Sequence, residues 1–383
     1  MFLFAQNAKI VFVFLFVFVV GLIQTTPVFA LEDKESGTSG QISTQKDEVL
    51  EGNITQILEE KQVIPMGQTE FQLNQKLEVL VTKGSLENKK IEVQSGNLPV
   101  TNLQKYKIGD DVIINFSKDF EGKDNFVITD YVRRNSLALL FVIFVAVAVV
   151  IGRIQGATSL LGMGISFLVI FVFILPRISS GDDPVLTAII GSLVIIPTTF
   201  FLSHGVNKKT GVAMAGTFFA LAVTGLLAAV FVEASKLTGF GSEEASFLQS
   251  IKPGFINIKG LLLAGMIISV LGILDDVTVS QASIVEQLKK ANPKFSTREL
   301  YSKAMAVGKD HIASVVNTLV LVYTGASLPL LLLFIDNPQP FSQVVNYEMI
   351  ADEIVKTLVG SIGLMLAVPI TTLIASIMSE RNA

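Results

Sequence analysis

Residues 137–152 read LALLFVIFVAVAVVIG, an apolar run that contains no charged side chain. Similar runs follow from here to the end of the chain, separated by polar stretches. A membrane-crossing helix needs about 20 mostly apolar residues, and non-helical backbone is not stable where it faces lipid. The pattern therefore predicts an α-helical polytopic membrane protein with about seven transmembrane helices. We place them at residues 137–152, 157–175, 184–203, 211–232, 258–274, 312–334 and 355–378.

The charged residues are unevenly distributed along the 383 residues. Asp, Glu, Lys and Arg make up 16% of the chain, against about 25% in a typical soluble domain. Half of these charges lie in residues 31–134. A small polar domain is therefore attached to an apolar membrane body.

The composition also excludes several kinds of site. There is no Cys, which rules out disulfides and thiolate metal sites, and the two His residues disfavour a His-rich metal site. The net charge of −4 argues against nucleic acid as a partner. We expect no metal site and no cofactor.

The first 30 residues have the pattern of a signal peptide. Lys9 precedes an apolar stretch, Ile10–Ile23, and Val28-Phe29-Ala30 suits cleavage after Ala30. A retained anchor is the alternative. Residues 31–46, which are rich in Gly, Ser, Thr and charge, predict a flexible linker.

Residues 47–134 predict a small extracytoplasmic all-β domain. Runs of β-branched and apolar residues are separated by Gly-containing turns such as Lys83-Gly84-Ser85 and Ile108-Gly109-Asp110. About five short strands fit a small barrel or sandwich, with an OB-like barrel as our prediction. The predicted strands are Val49–Ile57, Glu70–Val81, Lys90–Val93, Asp111–Phe116 and Asn125–Val132. A structural or protein-binding module is favoured over a specific ligand site.

The orientation of the membrane domain, residues 135–383, follows from its Lys and Arg residues. With residue 134 outside, the inner connections hold ten such residues and the outer connections five. This arrangement predicts a cytoplasmic C-terminus and a cytoplasmic segment at residues 275–311. Arg133 and Arg134, on the outer flank, run against the rule. The signal peptide is expected to override them, because it has already committed the preceding domain to export.

The first polar stretch near the membrane lies at the inner end of span five. Asp275 and Asp276 are followed by Thr278, Ser280 and Gln281. Polar groups inside a membrane are costly and are functional candidates by default. Oxygen ligands at such density are suited to hold a cation. Alternatively, one of the two carboxylates carries a proton. The alternative is that Asp275 or Asp276 caps the N-terminus of the next helix.

The second polar stretch leads into span six. Ser296 and Glu299 predict a capping box and a helix that begins near Thr297. His311, near the cytoplasmic rim, is a candidate proton carrier. Asn317 and Thr324 are seven residues apart, hence on one helix face, and are candidates to line a path. The alternative is that these residues are exposed charges at the rim of the membrane or form hydrogen bonds between helices.

The motifs of the two polar stretches resemble the YibE/F family of bacterial multi-pass membrane proteins. They are Asp275–Ser283 (DDVTVSQAS), Gly308–Leu319 (GKDHIASVVNTL) and Thr324–Pro329 (TGASLP), and Ser203-His204-Gly205 and Lys209-Thr210-Gly211 agree. The resemblance covers roughly residues 135–378. It implies a membrane body in the bacterial cell membrane, for which transport is the usual expectation, and it brings no catalytic residues.

Three functions are compatible with the sequence. The leading one is a secondary transporter or permease for an ion or small solute, in which Asp275 and Asp276 couple to a cation or proton. The alternative is a membrane receptor or assembly factor whose exported domain binds a protein partner. A membrane-embedded hydrolase is the weakest, because the chain contains no GxxxxGK[ST], HExxH or GxSxG motif, and we expect no enzymatic activity.

Overall fold

The computed structural model describes residues 48–64, 71–96, 104–118, 122–335 and 339–380. The predicted signal peptide and linker lie outside these residues. The described chain divides into two compact units between Phe144 and Val145. The first unit contains a β-sheet, and the second contains most of the helices.

A five-stranded antiparallel sheet forms the first unit, which confirms the predicted small β domain. The order of the strands is β3-β2-β1-β4-β5, and the long strand β1 pairs with both β2 and β4. The strands are β1 (Glu48–Val63), β2 (Gln72–Lys83), β3 (Lys90–Ser95), β4 (Asp111–Lys118) and β5 (Asp124–Tyr131).

Alternate residues of the central strands point into one hydrophobic core. Leu50, Leu77 and Val79 have no exposed surface. The pairing of β1 with β2 shifts register next to Gly52. A β-carbon at Gly52 would lie 2.5 Å from Cγ1 of Val79. Glycine at this position therefore allows β1 to bend closely over β2.

Helices make up nearly all of the second unit and the last residues of the first. They are α1 (Arg134–Leu168), which continues through a π-helical segment (Val169–Ile174) into α2 (Leu175–Ser179), α3 (Pro184–His204), α4 (Lys208–Ala234), α5 (Glu243–Ile251), α6 (Ile258–Ala291), α7 (Thr297–Ala326), α8 (Leu328–Ile335), α9 (Phe341–Val344) and α10 (Glu348–Glu380).

Six helical stretches among the described residues are long and apolar enough to cross a membrane, which confirms a body with several spans. They are Arg134–Ser179, Pro184–His204, Lys208–Ala234, Ile258–Ala291, Thr297–Ala326 and Glu348–Ser379. The first contains 46 residues, more than twice what one crossing needs. The sequence places two spans in this stretch.

The long first stretch is broken at Arg153. This residue has φ 51° and ψ −128°, outside the helical region. A β-carbon at Gly156 would overlap the carbonyl oxygen of Ala148. Residues eight apart in a straight helix are separated by about 12 Å along the axis. The chain therefore turns sharply at Arg153, within the loop predicted between the first two spans.

The predicted sixth span, residues 312–334, falls on two consecutive helices, α7 and α8, rather than on one. α7 ends at Ala326 and α8 begins at Leu328. Pro329 explains the interruption, because proline lacks an N–H group and its ring clashes with the carbonyl four residues earlier. The predicted start of α7 is confirmed, since Ser296 and Glu299 form a capping box.

α10 is the central helix of the second unit and packs along α4, α6 and α7. Two glycine–threonine contacts fix its direction relative to α4. A β-carbon at Gly216 of α4 would overlap Thr371 of α10, and one at Gly363 of α10 would overlap Thr224 of α4. The residue order is reversed between the two contacts, so α4 and α10 are antiparallel. Small residues allow this close approach of helices.

Candidate polar site in the helix bundle

Asp275 and Asp276 lie inside a continuous helix. α6 runs without interruption from Ile258 to Ala291, and its N-cap is Asn257. The alternative that either aspartate caps the next helix is therefore wrong. The predicted end of span five at residue 274 also falls within this helix, which continues because no proline or helix-ending residue follows the two aspartates.

The two aspartates occupy different surroundings. Asp275 is half-buried and Asp276 is exposed, because consecutive residues of a helix are separated by about 100°. Oδ1 of Asp275 is buried and has no hydrogen-bond partner in the described structure. A buried carboxylate oxygen without a donor is costly. Asp275 is therefore the stronger candidate for binding a cation or a proton.

Thr278 connects α6 to α4 one turn beyond Asp275. Its hydroxyl is fully buried, and its Oγ1 lies 2.7 Å from Oγ1 of Thr217. The Thr217 hydroxyl donates to the carbonyl oxygen of Ala213 at 3.0 Å. The Thr278 hydroxyl lies 3.2 Å from the carbonyl oxygen of Asp275 as well, so its single proton is shared between Thr217 and Asp275. Two hydroxyls thus form a hydrogen-bonded link between two candidate spans.

Gln281 connects α6 to α7. Its Nε2 donates to the carbonyl oxygen of Ala304 at 3.0 Å. A β-carbon at Gly308 would lie 2.8 Å from the same Nε2 and 2.6 Å from Cγ1 of Val368 in α10. The glycine of the Gly308-Lys309-Asp310-His311 motif is therefore the point where three helices meet.

The structure does not bring the other predicted residues into this cluster. Ser280 and His311 are half-buried, whereas Asn317 and Thr324 are exposed. Asn317 and Thr324 do share one face of α7, as predicted. That face lies away from Ala304, Gly308 and Leu319, the buried residues of α7 near the bundle.

A second charged group was missed by the sequence analysis. Nζ of Lys356 lies 2.7 Å from Oδ2 of Asp352 and 3.3 Å from Oε1 of Glu353, and the side chain of Asp352 is only 10% exposed. All three residues belong to the first turns of α10, which the sequence placed partly outside the span. The i, i+4 spacing of Asp352 and Lys356 was the signal that would have found this pair.

The charged pair lies nearer the start of α10 than Asp275 does. Gly360 of α10 lies against Val270 of α6, and Asp275 follows Val270 by five positions. The level of Asp275 is therefore about nine positions, or about 13 Å along the helix axis, beyond Lys356. Among the described residues, no group of three His, Cys, Asp or Glu side chains could hold a metal ion.

The family model for the YibE/F-like protein matches residues 140–381, which is more than half of the chain. The chain belongs to the YibE/F-like family. No curated protein and no solved structure matches it. In this YibE/F-like protein the matched range contains Asp275, Gln281 and Gly308, so the polar cluster lies in the part of the chain that defines the family.

The central helix of the YibE/F-like domain carries further buried polar groups. Ser361, Thr371 and Ser376 of α10 each have a buried hydroxyl with no hydrogen-bond partner in the described structure. Together with Asp275 and Thr278 they supply oxygen atoms at intervals between the helices. Such groups are rare inside membrane bundles unless they meet each other, water or a ligand.

Proposed function

We propose that the protein is a secondary transporter or permease for an ion or a small solute, and that Asp275 couples movement to a cation or a proton. The observation that carries this proposal is the buried Oδ1 of Asp275, which has no hydrogen-bond partner and lies within a helix long enough to cross a membrane. A carboxylate in this position is retained at a cost to stability.

The neighbouring groups suit the same role. Hydroxyl and carboxylate oxygens are the ligands of hard cations, and they also carry protons. Thr278, one turn from Asp275, and Thr217, which is hydrogen-bonded to Thr278, offer two hydroxyls. Ser361 and Thr371 of α10 offer two further buried hydroxyls. Asn317 and Thr324 lie on the exposed face of α7 and are not assigned to this path.

The proposal includes seven spans. The turn at Arg153 supports two crossings within the first 46-residue stretch. The directions of the helices agree with alternate crossings, because α6 is parallel to α10. A β-carbon at Gly360 would lie 3.6 Å from Val270, and one at Gly308 would lie close to both Gln281 and Val368, so residue numbers rise together along α6 and α10.

The orientation completes the proposed architecture. The positive-inside rule places the C-terminus and residues 275–311 in the cytoplasm of a bacterial cell, and the signal peptide exports the β domain. Arg133 and Arg134, which run against the rule, form ion pairs with Asp130 and Glu51 at 2.6 Å. Their charges are thus balanced by the β domain itself.

We propose an OB-like barrel for the β domain. The sheet order β3-β2-β1-β4-β5, with a long, bulged β1 between β2 and β4, is the order of such a barrel opened between its third and fifth strands. β3 and β5 also approach each other, which supports closure.

Ion-coupled flux in proteoliposomes tests the transport proposal. The full-length protein is reconstituted, a membrane potential is imposed, and the fluxes of protons and of a panel of monovalent and divalent cations are followed. We expect Asp275→Asn to abolish the coupled flux. Asp276→Asn, a matched change at the exposed neighbour, is expected to retain most of it. Undiminished flux in Asp275→Asn would remove the coupling role.

The receptor or assembly-factor alternative has one observation in its favour. Ile64 follows the last residue of β1 and Phe71 precedes the first residue of β2, and their side chains are 52% and 71% exposed. Two exposed apolar side chains at the same end of two paired strands are a candidate surface for a protein contact. Deletion of residues 31–134 separates the two functions, because a transporter is expected to keep its flux and a receptor to lose its partner.

A further inference from the structure

A cavity of about 470 Å³ lies where α4 begins and where α6 and α10 end. Four lysines line it: Lys208 and Lys209 from the first turn of α4, and Lys289 and Lys290 from the last turn of α6. The three helices all contain candidate membrane spans. The cavity therefore lies at one end of the spans, at the level where lipid headgroups are found.

The charge of this cavity is strongly positive. Among the described residues that line it, Glu286 is the one acidic residue, and it forms an ion pair with Lys290 at 2.8 Å. Nζ of Lys289 also donates to the carbonyl oxygen of Phe295 at 3.0 Å. The described lining side chains thus carry four formal positive charges and one negative charge. The positive end of the α4 dipole lies at the same place, because Lys208 and Lys209 occupy its first turn.

The position of Lys208 and Lys209 is unfavourable for the helix itself. Basic residues in a first turn oppose the helix dipole. The positive-inside rule explains two bases in a short connection. It does not explain why Lys289 and Lys290, more than 70 residues later in the chain, face the same cavity.

The floor of the cavity is apolar. Val212, Ala282 and Ala375 line it from α4, α6 and α10, and they are 5%, 3% and 4% exposed. A cationic rim above an apolar floor fits an amphiphile with an anionic head better than a free ion, which would gain nothing from the floor. Basic pockets between membrane helices bind the headgroups of anionic lipids.

We propose that this cavity binds the phosphate group of an anionic phospholipid, with the lysines around the phosphate and the glycerol and first methylenes on the apolar floor. The site is independent of the proposed transport function. It lies beyond Asp275 along α6, and none of its lining residues belongs to the polar cluster.

Native mass spectrometry of the full-length protein tests this site. Phosphatidylglycerol and phosphatidylcholine are titrated into the detergent-solubilised protein, and the bound lipids are counted. We expect Lys208→Gln combined with Lys209→Gln to weaken the binding of phosphatidylglycerol about thirtyfold and to leave phosphatidylcholine unchanged. Lys208→Arg combined with Lys209→Arg keeps the charge and is expected to retain binding.

The matched control is Lys294→Gln combined with Lys309→Gln, which removes two exposed lysines that do not line the cavity. This control is expected to bind phosphatidylglycerol as the unaltered protein does. An equal loss in both glutamine variants would overturn the proposal, because general surface charge would then explain binding. Inorganic phosphate or glycerol phosphate that displaces the lipid at comparable concentration would also overturn it, in favour of a soluble phosphate.

Discussion

At the scale of single residues, the face of the helix decides the surroundings of each polar side chain. Asp275 and Thr278 point toward the bundle, whereas Asp276 points away from it. The sequence identified the polar residues but not their direction. Seven-residue spacing places Asn317 and Thr324 on one face of α7, and only the packing of Gly308 against Gln281 and Val368 shows that this face is the outer one.

The same junction gives a prediction for Gly308. In Gly308→Ala the new methyl group would press against Val368 and Gln281, at 2.6 and 2.8 Å. Overpacking of this kind typically costs about 1–3 kcal/mol. We therefore expect a lower thermal unfolding midpoint in detergent. Gly325→Ala in the same helix meets nothing within 4 Å and should be neutral or slightly stabilising. A Gly308→Ala protein as stable as Gly325→Ala would contradict the three-helix junction.

At the scale of elements, strands were easier to predict than helix ends. The five strands are found because Gly-containing turns separate them, and Gly84 and Gly109 adopt φ values of +119° and +93° that other residues rarely accept. The prediction of a helix end failed at Asp275 and Asp276, because two polar residues there resemble a helix cap. Hydropathy also placed the start of the last span at residue 355, whereas α10 starts at Glu348. The first turns of α10, before most of the predicted span, contain the Asp352–Lys356 ion pair.

The ion pair between Glu51 of β1 and Arg134 of α1 gives a pH-dependent prediction. Hydrogen bonds from the Arg134 guanidinium hold the pKa of the Glu51 carboxyl below its ordinary value of 4.5, although burial opposes this shift. A lowered pKa in the folded state adds stability that is present at neutral pH and is lost as the pH falls below about 4.5.

We therefore expect Glu51→Gln to increase hydrogen exchange in β1 and β4 at pH 7. The difference from the unaltered full-length protein should disappear in acid, below the pKa of the folded state. Glu92→Gln removes a carboxylate that is 62% exposed and serves as the control with little effect. Equal protection in Glu51→Gln and the unaltered protein at pH 7 would contradict a stabilising pair.

At the scale of the whole molecule, the number of spans decides which loops share a side of the membrane. Seven spans place Asp182 outside and Val206 inside, whereas one crossing by residues 134–179 would reverse both. Hydropathy predicts the apolar runs, but it cannot decide whether a 46-residue helix crosses once or turns. The non-helical backbone of Arg153 is the observation behind the proposal of two crossings.

Cysteine labelling of intact cells tests the topology, and the chain has no cysteine of its own. We expect Asp182→Cys to react with an impermeant maleimide, and Glu92→Cys in the β domain, which we propose is exported, to react in the same way. Val206→Cys should react only after the membrane is permeabilised. The opposite pattern at these two loops would show a single crossing at residues 134–179.

A coupling role for Asp275 requires that water-soluble ions reach it from within the bundle. The most direct measurement is the reaction rate of Asp275→Cys with a small charged methanethiosulfonate in reconstituted membranes. Leu274→Cys, its fully buried neighbour on α6, is the matched control. We expect the thiol at 275 to react much faster than the thiol at 274. Equal, negligible rates at both positions would contradict it, because Asp275 would then be sealed in a dry helix interface.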